Sequence, residues 1–171
     1  MLKEAAAYLE RIEDLREQIG SILRTLPPEA LNWRPDESSD DHAMNSIAVL
    51  ATHAAGAEHF WIGEVIGSLP TTRDRAAEFE TVVADTAVLQ QTLQTVRQQT
   101  RTILQTLTQE DLDGTRQVRD RVVPTRWALL HVIDHTALHL GHIQITAQLW
   151  QGGQAVDAPR WFQRLKNRTD E

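Results

Sequence analysis

The sequence predicts an all-α protein, a four-helix bundle closed by a short C-terminal helix. Three observations carry that prediction: four long stretches space their apolar residues at helical intervals, prolines and glycines fall between those stretches, and none alternates apolar and polar residues as a half-buried strand does. In the first, Leu2, Ala5, Leu9, Ile12, Leu15, Ile19, Ile22, Leu23 and Leu26 draw one apolar stripe, which Pro27 and Pro28 end because proline lacks the backbone donor. Residues 29–44 are polar and turn-rich. The second helix starts at Asn45 or Ser46, either of which can cap free backbone donors, and runs through Ile47, Leu50, Ala54, Ala57, Trp61 and Val65 to Gly67.

After a connector over residues 69–75, a third helix is expected from Ala76 to Leu107. Val82, Leu89, Val96 and Ile103 hold one position of a seven-residue repeat, and Thr86, Leu93, Thr100 and Leu107 hold the other. The two threonines in this seam either bond carbonyls one turn back or face a polar pocket. Thr108-Gln-Glu-Asp111 has the form of a capping box and predicts a short extra turn, followed by an irregular segment from Gly114 to Pro124. Thr125 caps the fourth helix, which passes through Leu129, Val132, Ile133, Leu140, Ile143 and Leu149 and stops at Gly152-Gly153. Asp157 ahead of Pro159 opens the short tail helix, residues 157–168, carrying Trp161, Phe162 and Leu165 toward the bundle. With 171 residues and no low-complexity linker or repeat, the chain is expected to be one domain, its core spanning about residues 2–152.

Composition narrows the function. Seventeen Lys+Arg against 24 Asp+Glu leave a net charge of −7, and the basic residues are scattered, which argues against a nucleic-acid partner. No apolar run approaches the roughly 20 residues that span a bilayer, and the acidic helical start is unlike a signal peptide, so a soluble cytoplasmic protein is expected. The chain contains no cysteine, so it supplies no thiol nucleophile, disulfide or Cys-ligated metal.

Four of its seven histidines fall between residues 131 and 142. At 100° per residue, His135, His139 and His142 lie at about 40°, 80° and 20° from His131, so all four share one helix face. The four-residue spacing of His135 and His139 lets two imidazoles converge on one cation, although the His-Glu-x-x-His pattern of metalloproteases is absent. A third ligand must come from another element, and His53, set among Ala54, Gly56 and Ala57 on the second helix, is the candidate. His59, about 240° around the same helix, is expected at the surface or against the next element, and His42 in the polar loop is expected to be solvated.

The chain resembles the DinB/YfiT-like family of metalloenzymes in Leu31-Asn-Trp-Arg-Pro35, in Asn45-Ser-Ile47 leading to His53, and in Leu130-His-Val-Ile-Asp-His-Thr-Ala-Leu-His-Leu-Gly141. The resemblance covers about residues 2–152. It implies a DinB/YfiT-like bundle with a metal site of His53, His135 and His139, and a homodimer. Leu140 and His142 stand where the family more often has Arg and Gln, leaving His142 open as a supporting donor or alternative ligand and His131 as a pocket residue.

Three neutral imidazoles leave the full charge on a divalent ion and an open position for water or substrate, which suits catalysis. Zn²⁺, Ni²⁺ and Fe²⁺ all suit such a set. The resemblance implies thiol S-transfer or thiol-dependent isomerisation with a low-molecular-weight thiol cosubstrate; activation of water for hydrolysis of a small molecule is open as well. The rival reading is a noncatalytic metal- or ligand-binding bundle, recognised by a closed fourth position. Asp134, about 100° from His135, suits a supporting role beside the ligands, whereas Glu64, about 16 Å along the helix from His53, is too far for the same ion. Trp61, Trp127 and Trp150 either pack the bundle or wall a pocket, and Arg126 either meets an anionic substrate or is solvated.

Overall fold

A computed structural model of the chain describes residues 1–36 and 44–153. Helix α1 (Lys3–Thr25) buries Ala5, Leu9, Ile12, Leu15, Ile19, Ile22 and Leu23, the stripe the spacing predicts. Pro28 then starts a short helix, α2 (Pro28–Asn32), inside the stretch expected to be only turns, because proline is preset for a first helical turn. Ser46 caps α3 (Ile47–Glu58) by accepting a hydrogen bond from the Val49 amide. The helix runs on without a break, but as a π-helical segment, His59–Ile66, ending at Gly67.

The expected third helix is interrupted. Asp74 caps a five-residue helix, α4 (Arg75–Phe79), the chain then leaves helical geometry, and seven residues intervene before α5 (Ala87–Thr106). Asn32 explains the break: its side chain donates to the Val83 carbonyl and accepts from the Val83 amide, at 2.7 and 3.0 Å, so Val83 needs no helical partners. Val82, an expected seam residue, is 80 % exposed, and Thr86 stands just before α5 without a capping bond. From Leu89 on, Leu89, Leu93, Val96, Thr100 and Leu107 are buried as the repeat predicts, but Ile103 is only partly buried and Leu104 takes the interior place beside it.

Both halves of the Thr108–Asp111 capping box form and start α6 (Gln109–Asp113). Where an irregular segment is expected, a two-stranded antiparallel hairpin forms, β1 (Thr115–Val118) and β2 (Arg121–Pro124), with Val118 opposite Arg121. Helix α7 (Thr125–Trp150) follows directly. The expected tail helix lies outside the described residues, as does His42.

The long helices form a ring in which α1 packs on α5 and α7, and α3 packs on the same two. This is a four-helix bundle. One apolar cluster gathers residues such as Leu23, Ile47, Leu89 and Ile143, and a second gathers Ile12, Ile62, Leu104 and Leu129. Between them in sequence, on three helices, stand Arg16, Glu58 and Thr100. Arg16 Nη2 and Nε donate to the Glu58 carboxylate, which also accepts the Thr100 hydroxyl. All three are at most 5 % exposed, so a paired and satisfied polar layer crosses the bundle interior. The seam threonine therefore neither back-bonds nor faces a pocket. It completes this network.

No helix among the described residues is long and apolar enough to cross a membrane.

Candidate metal centre

Helix α3 carries His53 within the small-residue run Ala51-Thr-His-Ala-Ala-Gly-Ala57 and packs on α7, which brings the imidazole within reach of that helix's histidines. His135 and His139 come one turn apart on α7 with ring centroids 4.4 Å from each other and 5.0 Å each from the His53 ring. One nitrogen from each of the three lies within 4.8 Å of the other two. Nε2 of His53 and Nε2 of His135 are 3.2 Å apart.

The tautomer of His53 is set by what its other nitrogen touches. Nδ1 lies 2.7 Å from Oε2 of Glu78, a carboxylate that can only accept, so Nδ1 carries the proton and Nε2 presents a lone pair toward His135. Two facing imidazole nitrogens at 3.2 Å require a proton or a cation between them. A tetrahedral ion with metal–nitrogen bonds of about 2.0–2.1 Å sets its ligand atoms roughly 3.3 Å apart, so the observed spacing suits a shared cation. Nδ1 of His135 and Nδ1 of His139 are buried without a hydrogen-bond partner. Burial, reinforced by the neighbouring imidazoles, pushes the His135 pKa down to about 3, and burial with the His53 and His142 charges takes His139 to about 4. Both are thus neutral donors at pH 7, the form a metal needs.

Glu78 is held in turn. Burial alone would raise its carboxyl, but hydrogen bonds from Arg73 and His53 outweigh that and hold it below the usual carboxylate range. Arg73 grips it with two bonds, Nε to Oε1 at 2.6 Å and Nη2 to Oε2 at 2.8 Å. Glu64, one helical face away, accepts the backbone amides of Thr72 and Arg73 on a single oxygen and so fixes the segment that carries Arg73. Gly56 makes room for this arrangement: a Cβ there would lie 2.0 Å from Glu78 Oε1. A carboxylate behind a ligating histidine fixes ring orientation and raises basicity. Nothing in the sequence pattern marks Arg73 and Glu78 for this role, since they stand on a short helix and its lead-in, 20 and 25 residues from His53.

The remaining expected residues lie outside the cluster. His131 stacks flat on Trp127, centroids 4.9 Å apart with planes at 4°, and its ring is 5.7 Å from that of His135. Burial lowers its pKa, and the Asp134 charge partly opposes the shift. Asp134 itself is exposed. His142 is also exposed, its ring 5.5 Å from His139. His59 packs against α5 and the connector, bonding Gln99 and Thr72. Trp61 meets both Trp127 and His131 edge-on. Trp150 is remote from these and meets Trp33. Arg126 contacts neither substrate space nor bulk water alone: it bridges Glu4 and Asp113 and donates to the Leu112 carbonyl, tying α1 and α6 to α7.

The fold has solved counterparts. A conserved protein from Enterococcus faecalis superposes with a TM-score of 0.74 at 18% sequence identity, over 89% of this chain and 99% of that one. A DinB-like protein from Bacillus subtilis gives 0.67 at 19% identity, over 93% and 99%. At such identities the likeness establishes the DinB-like fold. No curated protein matches the sequence. The mycothiol-S-transferase family matches residues 7–152, a span that includes all three clustered histidines together with Arg73 and Glu78, and the chain belongs to that family.

Proposed function

We propose that the protein is a metal-dependent thiol S-transferase that joins the sulfur of mycothiol to an electrophilic small molecule, with His53, His135 and His139 as the metal ligands. The observation that carries this reading is the convergence of three imidazoles, two of them nitrogen to nitrogen at 3.2 Å, in a chain of the mycothiol-S-transferase family. A bound divalent ion supplies a Lewis acid that favours the deprotonated form of a coordinating thiol. Zn²⁺, Ni²⁺ and Fe²⁺ all accept three imidazoles, and availability decides among them.

The chain's own residues prepare that chemistry. Glu78 holds the proton of His53 on Nδ1 and so keeps Nε2 free to ligate. Arg73 keeps Glu78 ionised and in place. Burial keeps His135 and His139 unprotonated at neutral pH, so binding need not displace protons from them. The three ligands are neutral and leave the ion's charge undiminished for the sulfur. No protein thiol competes with the cosubstrate thiol, because the chain contains no cysteine.

Cobalt substitution tests the reading. Adding mycothiol to the cobalt-loaded protein should produce a sulfur-to-metal charge-transfer band, larger than that given by bacillithiol or glutathione, and His135→Ala should abolish it. A protein that holds cobalt yet shows neither the band nor a metal–sulfur distance by X-ray absorption with any of the three would overturn thiol transfer. Turnover of model esters or amides by the metal-loaded protein would then separate water activation from a noncatalytic site.

A further inference from the structure

Between the π-helical segment, the connector that follows it and the hairpin lies an open cavity of about 1250 Å³. That is more than one small ligand occupies, since drug-sized pockets run from roughly 300 to 1,000 Å³. Its aromatic side is Phe60, Trp61 and Trp127, of which Trp127 is 46 % exposed. The cavity backs onto the histidine cluster at two points. Trp127 stacks on His131, the neighbour of His135. Arg73 forms part of the wall while its guanidinium grips Glu78 and lies 3.4 Å from His53 Nδ1.

The charge of the lining opposes that of the chain. Arg73, Arg75, Arg116, Arg119 and Arg121 line it against only Glu64 and Asp120, in a protein of net charge −7. Arg73 and Arg116 are committed to Glu78 and Asp111, and Arg75 lies over the Phe79 ring. Arg119 and Arg121 form no ion pair among the described residues. The hairpin holds them: Val118 and Arg121 close a two-residue turn of Arg119 and Asp120, and Gln117 Nε2 donates to the Arg119 carbonyl at 2.7 Å. Arg119 sits there at φ 56°, where Gly or Asn is the ordinary choice.

We propose that this cavity binds the electrophilic acceptor and that the acceptor is a planar organic anion, its flat apolar part against Trp61 and Trp127 and its carboxylate on Arg119 and Arg121. Aromatic rings and guanidinium groups that line one cavity, the latter without an ion pair among the described residues, are the chemistry that recognises such a molecule. His53, His135 and His139 do not line the cavity; Arg73 and the Trp127–His131 stack join it to them. The inference rests on the S-transfer reading for the word acceptor, but the binding itself needs neither metal nor thiol.

The test is calorimetric titration of the full-length protein, metal-free and zinc-loaded, with 2-naphthoate and with its uncharged isostere 2-naphthamide. Naphthoate should bind roughly tenfold more tightly than the amide at low salt, as two partly exposed charge contacts would give, and the gap should shrink with added sodium chloride. Arg119→Gln with Arg121→Gln should bring naphthoate to the level of the amide and leave the amide unchanged, while Trp127→Leu should weaken both. Should the double variant lose its helical circular dichroism, Arg121→Gln alone is read the same way, with roughly a threefold loss. Equal binding of the two compounds, no binding of naphthoate, or full naphthoate affinity in the glutamine variants would overturn the proposal. Because no step uses thiol, a missing cobalt–thiol band with naphthoate binding intact would sink the S-transfer reading and leave the anion site standing; the reverse pattern would sink the anion site alone.

Discussion

Gly56→Ala is the substitution in which stability and metal affinity should part company. The residue is inside α3, where exchanging glycine for alanine stabilises a helix by roughly 0.5–1 kcal/mol. Here the new Cβ would meet Glu78 Oε1 at 2.0 Å and its Cδ at 2.7 Å. An ordinary contact requires the carboxylate to retreat by about 1 Å or more. Glu78 cannot swing freely, because Arg73 holds both of its oxygens, so the retreat draws it from His53, and the 2.7 Å bond lengthens past the roughly 3.2 Å limit of a good hydrogen bond. Loss of such a carboxylate behind a ligating histidine typically costs about 10–100-fold in metal affinity, or about 1.4–2.7 kcal/mol. The expected result is a zinc affinity lowered by about that factor in competition with a chromophoric chelator, while the metal-free protein changes in urea stability by about 1 kcal/mol or less. Gly141→Ala is the control: it is also helical, two residues past His139, and its Cβ would meet nothing within 4 Å, so it should keep full zinc affinity. Zinc affinity unchanged in Gly56→Ala, or lowered equally in both variants, would refute the role given to Glu78.

Alanine at His53, His135 or His139 should remove stoichiometric metal by elemental analysis, whereas His59→Ala and His142→Ala should retain it, because their rings lie outside the cluster; His131→Ala, read the same way, should lower affinity only through the packing of Trp127 and His135. Glu78→Gln should weaken zinc binding by about 10–100-fold without unfolding the protein, measured by chelator competition. The metal-free protein should lose stability as pH falls: His135 and His139 are held at about 3 and about 4, below the ordinary 6.5, so the unfolded chain binds more protons from pH 6.5 downward, and thermal midpoints should decline across that window and less steeply in His135→Ala. Glu58→Ala leaves Arg16 charged and unpaired in the interior and should cost roughly 3–5 kcal/mol in urea unfolding, with Thr100→Ala costing far less.

The long helices, the capping box at Thr108 and the one-faced row of histidines on α7 were legible in the sequence because each depends on spacing within one segment, and 100° per residue turns spacing into direction. His53 was legible as inward-facing from its small neighbours, and the resemblance named it with the α7 pair. Tertiary structure decided the rest. Asn32 satisfies both backbone groups of Val83 across 51 residues and so breaks a helix that its own repeat favours. The π-helical turn over His59–Ile66 has a composition that reads equally well as α-helix. The hairpin strands are four residues each, and exposure alternates along β1 but not along β2, so their pairing is what defines them. Arg73, Glu78 and Glu64 carry no periodic signal, because their roles exist only once the connector folds back over α3. A local pattern fixes which way a side chain points on its own helix; which partner it meets is fixed by packing among elements far apart in the chain, and the orientation of His53 by Glu78 belongs to that second kind.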